Sequence, residues 1–369
     1  MSLNHWGMKS NYKRLGDYIR QVDVRNRDLA VERLLGLSVN KQFIPSIANT
    51  IGTDMGNYKV VAPSQFVYIA DTSRRGDKIA IALLGGQGKA IVSAIYTVFE
   101  ITNEMELLPE YLMMWFRRPE FDRYARFKSH GSAREIFEWD EMCNVLLPVP
   151  PIEEQRKIVA EYLAIEQRIE SNRRLIATLE ETAQTIYRKM FVDDIDPENL
   201  PEGWRMGKMK EIAAFAYGKM PKEKNSGNIP VFSGYGIVGY CNEATYTKQH
   251  IVVIARGDSG SGKIVKSPTK FFLTNLAIAI KPFDDKYRDF IYYYLSSQDT
   301  STLRTGSAQA QVTIDSIERF DILIPPIDVC GNFYNIVEVL ENYNQKTQKE
   351  NCKLLQIQDM FLYKLSKIE

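Results

Sequence analysis

The chain has 369 residues, which is enough for two or three domains that each bury a core. Hydrophobic residues make up 44% and charged residues 25%, as in a soluble globular protein, and no apolar run approaches the roughly 20 residues that cross a bilayer, so we expect no membrane span. A net charge of +1 excludes nucleic-acid binding through bulk charge and leaves only local basic patches.

Cysteine and histidine are sparse. The four cysteines lie far apart without CxxC pairing, which argues against a disulfide framework or a zinc site and fits a reducing cytoplasm. The three histidines have no second ligand at metal spacing, so no metal is expected.

The first 150 residues are predicted to form a β-rich globule with some helix. KIAIALL (78–84) and KAIVSAIYTVFEI (89–101) read as buried or half-buried strands. Residues 108–127 have helical periodicity and precede a GSA loop at Gly131. The arginines of that helix alternate with acids and are predicted to form a solvated face: Arg117, Arg118, Arg123 and Arg126.

A long helix is predicted from Pro151, because proline suits the first turn and Glu153 and Glu154 follow where the helix dipole favours acids. Seam positions then recur in steps of four and three, which is the heptad of a coiled coil rather than a stripe on a globule. The only polar member, Asn172, either fixes the register or marks a surface-facing slip. The seam consists of Ile158, Tyr162, Ile165, Ile169, Asn172, Ile176, Leu179, Ala183, Ile186 and Met190.

The second half repeats this order. HIVVIA (250–255) and KFFLTNLAIAIK (270–281) read as strands, and YRDFIYYYLSS (287–297) reads as a helix, so the fold class is α+β. A second heptad follows, but residues 344–352 are polar throughout, and this helix is predicted to pair with the first one within the chain. Its seam is assigned to Ile336, Leu340, Tyr343, Leu354, Ile357 and Phe361.

The repeat itself appears when residue n is laid over n+175. Asp140 then falls on Asp315, and Pro150-Pro151-Ile152 falls on Pro325-Pro326-Ile327. GGQGKAIV (85–92) lies over GSGKIV (260–265) at an offset of 174. A period this long indicates a duplicated domain rather than a solenoid, whose units have about 20–50 residues.

Two catalytic readings of ARGDSGSGKI (255–264) are disfavoured. It nearly matches a P-loop, but Ile264 replaces the magnesium-binding hydroxyl and a strand pattern follows where a helix is needed. GDSGS also resembles a serine-protease segment, yet the repeat copy has no serine there. We find no catalytic constellation, and a purely structural coiled-coil adaptor remains an alternative.

Glycine-rich basic loops are the remaining candidates for a functional site. We predict that they occupy equivalent positions in the two globules and contact phosphates or base edges of DNA. A hairpin with solvated lysines is the alternative for each loop. The candidate DNA-binding residues are Arg74, Arg75, Lys78, Lys89, Ser132, Arg134, Lys219, Lys222, Asn225, Arg256, Ser259, Ser261, Lys263, Gln309 and Gln311.

The chain resembles the specificity subunit of type I restriction–modification systems over essentially its whole length. LPVPPIEEQRKI (147–158) is similar to that family's proline–glutamate–glutamine signature, and LPEGWRMGKMKEIA (200–213) to the usual start of its second domain. PVFSGYGIVGYCNEATY (230–246) resembles its glycine–aromatic opening. In the second copy Val329-Cys330 replaces Glu154-Gln155, so identical partner contacts at both helix starts are not expected.

The resemblance implies two β-rich target-recognition domains, 1–150 and 196–325. It also implies two conserved spacer helices, 151–195 and 326–369, which form an antiparallel intrachain coiled coil with pseudo-two-fold duplication. Each domain would read half of a split double-stranded DNA sequence, with the helices setting the spacer. The chain would be non-catalytic. Two methyltransferase subunits would dock on it and restriction subunits with translocase activity could join, so S-adenosylmethionine, ATP and magnesium would belong to partners.

Overall fold

The computed structural model describes residues 12–46, 52–72, 76–131, 135–222, 226–233, 236–257, 260–305 and 311–367. The chain divides into two compact units. Unit 1 holds residues up to 172 together with those from 350 onward, and unit 2 holds residues 173–349. Each unit therefore combines one globule with part of both long helices.

Unit 1 is built on a four-stranded antiparallel sheet of order β2-β9-β6-β7. Its described strands are β1 Tyr12–Arg14, β2 Ile19–Val22, β3 Leu35–Ser38, β4 Gln42–Pro45, β5 Lys59–Val61, β6 Phe66–Ile69, β7 Ala80–Leu83, β8 Ala90–Val92, β9 Thr97–Ile101 and β10 Leu146–Pro148. Its helices are α1 Pro109–Arg117, α2 Pro119–Lys128, α3 Trp139–Cys143 and the start of α4 Ile152–Phe191.

Strand β6 shows why this sheet is buried on both faces. All four residues are buried, and their side chains alternate. Phe66 and Tyr68 pack into the cluster that includes α1, whereas Val67 and Ile69 pack on the other face against β3 and β8. The predicted helix over 108–127 is two helices, because Pro119 starts a new one and Arg118 before it is extended.

Unit 2 repeats the sheet in the order β12-β18-β15-β16. Its described strands are β11 Arg205–Lys208, β12 Ala213–Tyr217, β13 Ile229–Ser233, β14 Gly236–Cys241, β15 Ile251–Ile254, β16 Ile264–Lys266, β17 Phe272–Leu273, β18 Ala277–Pro282, β19 Arg304–Thr305, β20 Gln311–Val312 and β21 Asp321–Ile324. Its helices are α5 Tyr287–Ser297, α6 Ile314–Glu318 and the start of α7 Ile327–Leu365. The predicted α+β class is confirmed.

The two long helices run antiparallel in each unit. In unit 1, Arg168 bonds to Glu350 at 2.8 Å, and Glu166, earlier in α4, accepts from Gln358, later in α7. In unit 2 the order continues, since the Asn344 amide donates to Glu180 at 3.3 Å. The antiparallel pairing that the resemblance implied is confirmed.

Every predicted seam position of α4 is buried or half-buried, whereas the predicted seam of α7 is partly wrong. Ile336, Tyr343 and Ile357 are 40–60% exposed, whereas Val337 and Thr347 are buried. The polar stretch 344–352 keeps the heptad spacing. Its seam positions are the amide residues Asn344 and Asn351 and the hydroxyl residue Thr347, rather than the nearest apolar residues. The predicted packing residues are all buried or half-buried: Ile158, Ile165, Ile169, Asn172, Ile176, Leu179, Ile186, Leu340, Leu354 and Phe361.

Two further details of α4 correct or settle the sequence reading. Its last turns belong to a globule core, because Tyr187 and Phe191 pack against Phe290 of α5 in tilted contacts, at 6.4 and 4.9 Å between ring centroids. A pure coiled-coil seam was therefore the wrong prediction there. Asn172 is 3% exposed, so it is a buried seam residue and not a surface slip.

Candidate nucleic-acid interface

In unit 2 several basic segments meet at one end of the sheet. Strand β15 ends there, since Ile254 lies opposite Ala277, the first residue of β18. Strand β12 also ends there, with Tyr217 opposite Ile278. The hairpin of β19 and β20 joins the same end, because Val312 N–H donates to the Ala255 carbonyl at 2.9 Å.

The loop between β15 and β16 is closed tightly at its base. Gly262 N–H donates to the Ile254 carbonyl at 2.8 Å, and Gly262 has φ of +88°, which favours glycine. Ser261 was predicted to contact DNA, but it is 4% exposed and its hydroxyl donates to the Ala255 carbonyl, so this prediction is wrong. Ile264 begins a strand, which removes the P-loop reading because no helix N-terminus follows Lys263.

Four of the predicted lysine and arginine contacts in unit 2 have exposed side chains. They are Lys219, Lys222, Arg256 and Lys263, of which Arg256 and Lys263 belong to the loop between β15 and β16. Lys219 is held close to the sheet, because a Cβ at Gly218 would lie 2.2 Å from the Thr274 carbonyl oxygen. Of the other predicted contacts in this unit, Asn225, Ser259 and Gln309 lie outside the described residues.

Arg256 and Gln311, both predicted contacts, come together at this end of the sheet. The Arg256 Nε donates to the Gln311 amide oxygen at 2.9 Å. Arg304, which the sequence reading missed, lies exposed on the neighbouring strand β19. The sequence offered no signal for it beyond its place just before the second GSA loop.

In unit 1 the corresponding end of the sheet carries the loop DTSRRGDK (71–78), which follows β6. Phe137 N–H donates to the Ala70 carbonyl at 2.9 Å, just as Val312 donates to Ala255 in unit 2. Lys78 is exposed in this loop. The other predicted contacts here lie outside the described residues: Arg74, Arg75, Ser132 and Arg134.

Lys89 does not share this position, so the predicted equivalence of GGQGK with GSGK is wrong. Lys89 follows the far end of β7, whereas Lys78 precedes its near end. The cause is a drift in the repeat. The separation of matching elements falls from 193 residues between β1 and β11 to 175 between α4 and α7, so an offset of 174 does not apply to the strands between them.

The helical arginines of unit 1 differ in exposure, and the predicted solvated face is wrong for Arg118. Arg126 pairs with Asp77 at 2.7 Å and with Glu135, and these hydrogen bonds raise the pKa of its guanidinium. Arg126 thereby connects α2 to Asp77 in the loop after β6 and to Glu135, which follows the first GSA loop. Arg118 is 5% exposed over the Trp115 ring, whereas Arg123 is exposed as predicted.

Arg117 belongs to an ion pair that both units build on the same helix position. In unit 1 it pairs with Glu166 of α4, while in unit 2 Lys266 pairs with Glu341 of α7, which is 175 residues after Glu166. Lys266 also bonds at 2.9 Å to Asp289, which is fully buried. The two glutamates occupy equivalent helix positions, but their cationic partners come from a helix in unit 1 and from a strand in unit 2.

Gln155 of the proline–glutamate–glutamine signature faces the protein interior. It is fully buried, accepts from Leu108 N–H at 2.9 Å, and donates to the Glu106 and Pro150 carbonyls at 2.8 Å each. Cys330 stands at the matching position of α7, also fully buried, and burial raises the pKa of its thiol to about 12. This signature therefore joins globule to helix.

The described part of the chain holds neither a metal-binding cluster nor a membrane-spanning helix. No group of three or more His, Cys, Asp or Glu there could hold a metal ion. None of the helices in those residues is long and apolar enough to cross a membrane.

Comparison with known proteins gives a consistent result. Residues 201–358 match the model of the type I restriction modification DNA specificity domain. The MjaIX type I restriction enzyme specificity subunit of Methanocaldococcus jannaschii is 23% identical over 297 residues, which are 70% of this chain and 68% of that protein. The HindI specificity subunit of Haemophilus influenzae is 29% identical over 142 residues, 36% and 30% of the two chains.

The fold agrees as well. The crystal structure of a type I restriction-modification S subunit from M. genitalium superposes with a TM-score of 0.66 at 15% identity, covering 99% of this chain and 98% of that one. Residues 201–358 thus match the DNA specificity domain of type I restriction–modification systems, and 70% of the chain is similar to a specificity subunit of such a system.

Proposed function

We propose that this chain is the non-catalytic subunit that directs a type I methyltransferase, and restriction subunits where they join, to a split double-stranded DNA sequence. At the same end of equivalent sheets, unit 2 presents the exposed cations Arg256 and Lys263 and unit 1 presents the exposed Lys78, and this repeated placement is the observation that carries the proposal. Exposed arginine and lysine side chains bind phosphates, and arginine and glutamine also read base edges.

In this proposal the chain supplies the address and its partners supply the chemistry. Two methyltransferase subunits dock on the helices and adjoining domain surfaces and bind S-adenosylmethionine, while ATP and magnesium serve the translocase subunits. The modest net charge is compatible with this role, because partners add phosphate contacts and sequence discrimination depends on base edges.

The primary test is co-expression with the cognate methyltransferase, followed by genome-wide mapping of methyladenine. The proposal expects a motif of two defined halves flanking undefined bases. A continuous motif would leave one globule without a reading role. An assembled complex that methylates nothing would instead support a structural adaptor, which would also lack salt-dependent DNA binding.

Domain exchange tests the modularity of the two halves. Replacing residues 196–325 with the second domain of another specificity subunit should change one half of the methylated motif and preserve the other. A change in both halves would contradict independent reading by the two globules.

The helices provide a separate test of the spacer. Inserting one heptad after Asn172 and another before Glu350 keeps the antiparallel seam and adds about 10 Å. The undefined spacer should lengthen by roughly three base pairs at 3.4 Å each, with both halves unchanged. A matched control inserts the heptad in α4 alone, which breaks the seam and should abolish methylation. An unchanged spacer in the paired insertion would refute the ruler role.

A further inference from the structure

The side-chain pair of Arg256 and Gln311 has the geometry of a prepared base-reading group. The Gln311 amide oxygen binds the Arg256 Nε proton at 2.9 Å. Because Nε is used, the end of the guanidinium that carries Nη1 and Nη2 remains as the fork available to a ligand. Two parallel donors of this kind match the O6 and N7 acceptors of guanine in the major groove.

Both residues are attached to fixed backbone, which limits the entropy lost on binding. Arg256 N–H donates to the Leu276 carbonyl, and Gln311 lies on β20 opposite Thr305 of β19. Val312 N–H then joins β20 to the end of β15. A direct base contact depends on such placement, because an arginine held in one orientation loses less freedom when it binds.

The neighbouring cations favour a base contact for Arg256 over a phosphate contact. Lys219, Lys263 and Arg304 are exposed at the same end of the sheet and suit phosphates, which accept from many directions. Arg256 is held by a neutral amide, so its charge is kept while its direction is fixed. A carboxylate partner would cancel that charge.

Unit 1 lacks this pair at the matching place. Phe137 corresponds to Val312 and Ala70 to Ala255, because each pair makes the same backbone bond. The residues that match Arg256 and Gln311 are therefore Asp71 and Ile136. Any guanine reading by the pair is confined to one half of the DNA site.

We infer that Arg256 reads a guanine in the half-site of the second globule, with Gln311 positioning it. This inference rests on the proposed function. It goes further by naming the base, the reading residue and the single half-site concerned.

The test uses the complete complex of the specificity subunit with its methyltransferase. Once the methylated motif is known, affinity is measured for duplexes in which each G·C pair of either half is replaced in turn by A·T. Wild type is compared with Arg256→Lys, which keeps the charge but loses the fork. Arg319→Lys is the matched control, since Arg319 is an exposed arginine of the same unit that directly follows α6 and pairs with Asp315 of that helix.

The expected result is a single G·C position, in one half only, where replacement by A·T lowers the affinity of the wild-type complex roughly 5- to 150-fold. The same replacement should leave the affinity of the Arg256→Lys complex unchanged. Gln311→Glu should weaken binding to every duplex, because it adds a negative charge beside the fork. Arg319→Lys should match wild type throughout.

Three outcomes would overturn the inference. Arg256→Lys could weaken all duplexes equally, as a phosphate contact does. It could change nothing, or the affected half could contain no guanine. In each of these the split motif itself survives, so the proposed function stands. A wild-type complex without a split motif would remove both.

Discussion

Replacing Lys266 with methionine should destabilise unit 2 far more than Arg117→Met destabilises unit 1. Lys266 is 16% exposed and bonds to the fully buried Asp289 as well as to Glu341. Breaking a buried pair costs about 3–5 kcal/mol. Arg288 still pairs with Asp289 at 2.9 Å after the change, so we expect the low end, about 3 kcal/mol.

The pair of Arg117 and Glu166 is more exposed and provides the comparison. Arg117 and Glu166 are 25% and 32% exposed, so water screens this pair, and its loss should cost about 1 kcal/mol or less. Both variants remove an ion pair with the same helix position, but Lys266→Met also removes the bond to the fully buried Asp289. The difference between them therefore measures the deeper burial of the Lys266 network.

The assay is urea unfolding, with hydrogen exchange of backbone amides as the probe. Amides of α5 report on unit 2 and those of α1 on unit 1, so each loss can be assigned to its unit. With a urea slope of about 2–3 kcal/mol per molar, Lys266→Met should lower the midpoint of unit 2 by about 1 M. Equal losses in the two variants, or a larger one for Arg117→Met, would refute the argument from burial.

Three further predictions concern individual side chains. Gln155→Ala should cost about 2–4 kcal/mol of unfolding free energy, measured by urea titration, because it leaves a buried N–H and two carbonyls without their partner; a loss below 1 kcal/mol would contradict this. Gly218→Ala should lower the melting temperature through its clash with the Thr274 carbonyl, whereas Gly85→Ala, with no atom within 4 Å, should not. Cys352 should be alkylated at pH 8 while buried Cys330, with its pKa raised to about 12, stays protected until unfolding; equal native-state rates by mass spectrometry would oppose that ranking.

The sequence predicted elements better than long-range contacts. The heptad of α4 was readable because its seam positions from Ile158 to Met190 are apolar except for Asn172. In α7 the predicted frame was partly wrong, because the seam passes through Asn344 and Thr347 and periodicity counts only apolar residues. The buried FVYI strand of unit 1 likewise gives no alternation to assign its faces.

The candidate site was predictable in composition but not in arrangement. Its arginines, lysines and glutamines are visible in the sequence, yet the partner of Arg256 lies 55 residues away. Glu166 and Glu341 share a repeat position, but their cations come from different elements, so laying one copy over the other does not reveal the pairs. The loop equivalence failed for a related reason, since insertions shift the offset between the strands.

The contrast between Gln155 and Cys330 bears on how such chains can be recombined. At the start of α4 the Gln155 side chain makes three hydrogen bonds, whereas at the start of α7 the Cys330 thiol is simply buried. The two globules are therefore not interchangeable. A first globule grafted onto the start of α7 would arrive with the Leu108 amide and the Glu106 carbonyl facing sulfur. Such a chimera would need glutamine in place of Cys330, whereas exchange between like positions of different chains needs no such repair.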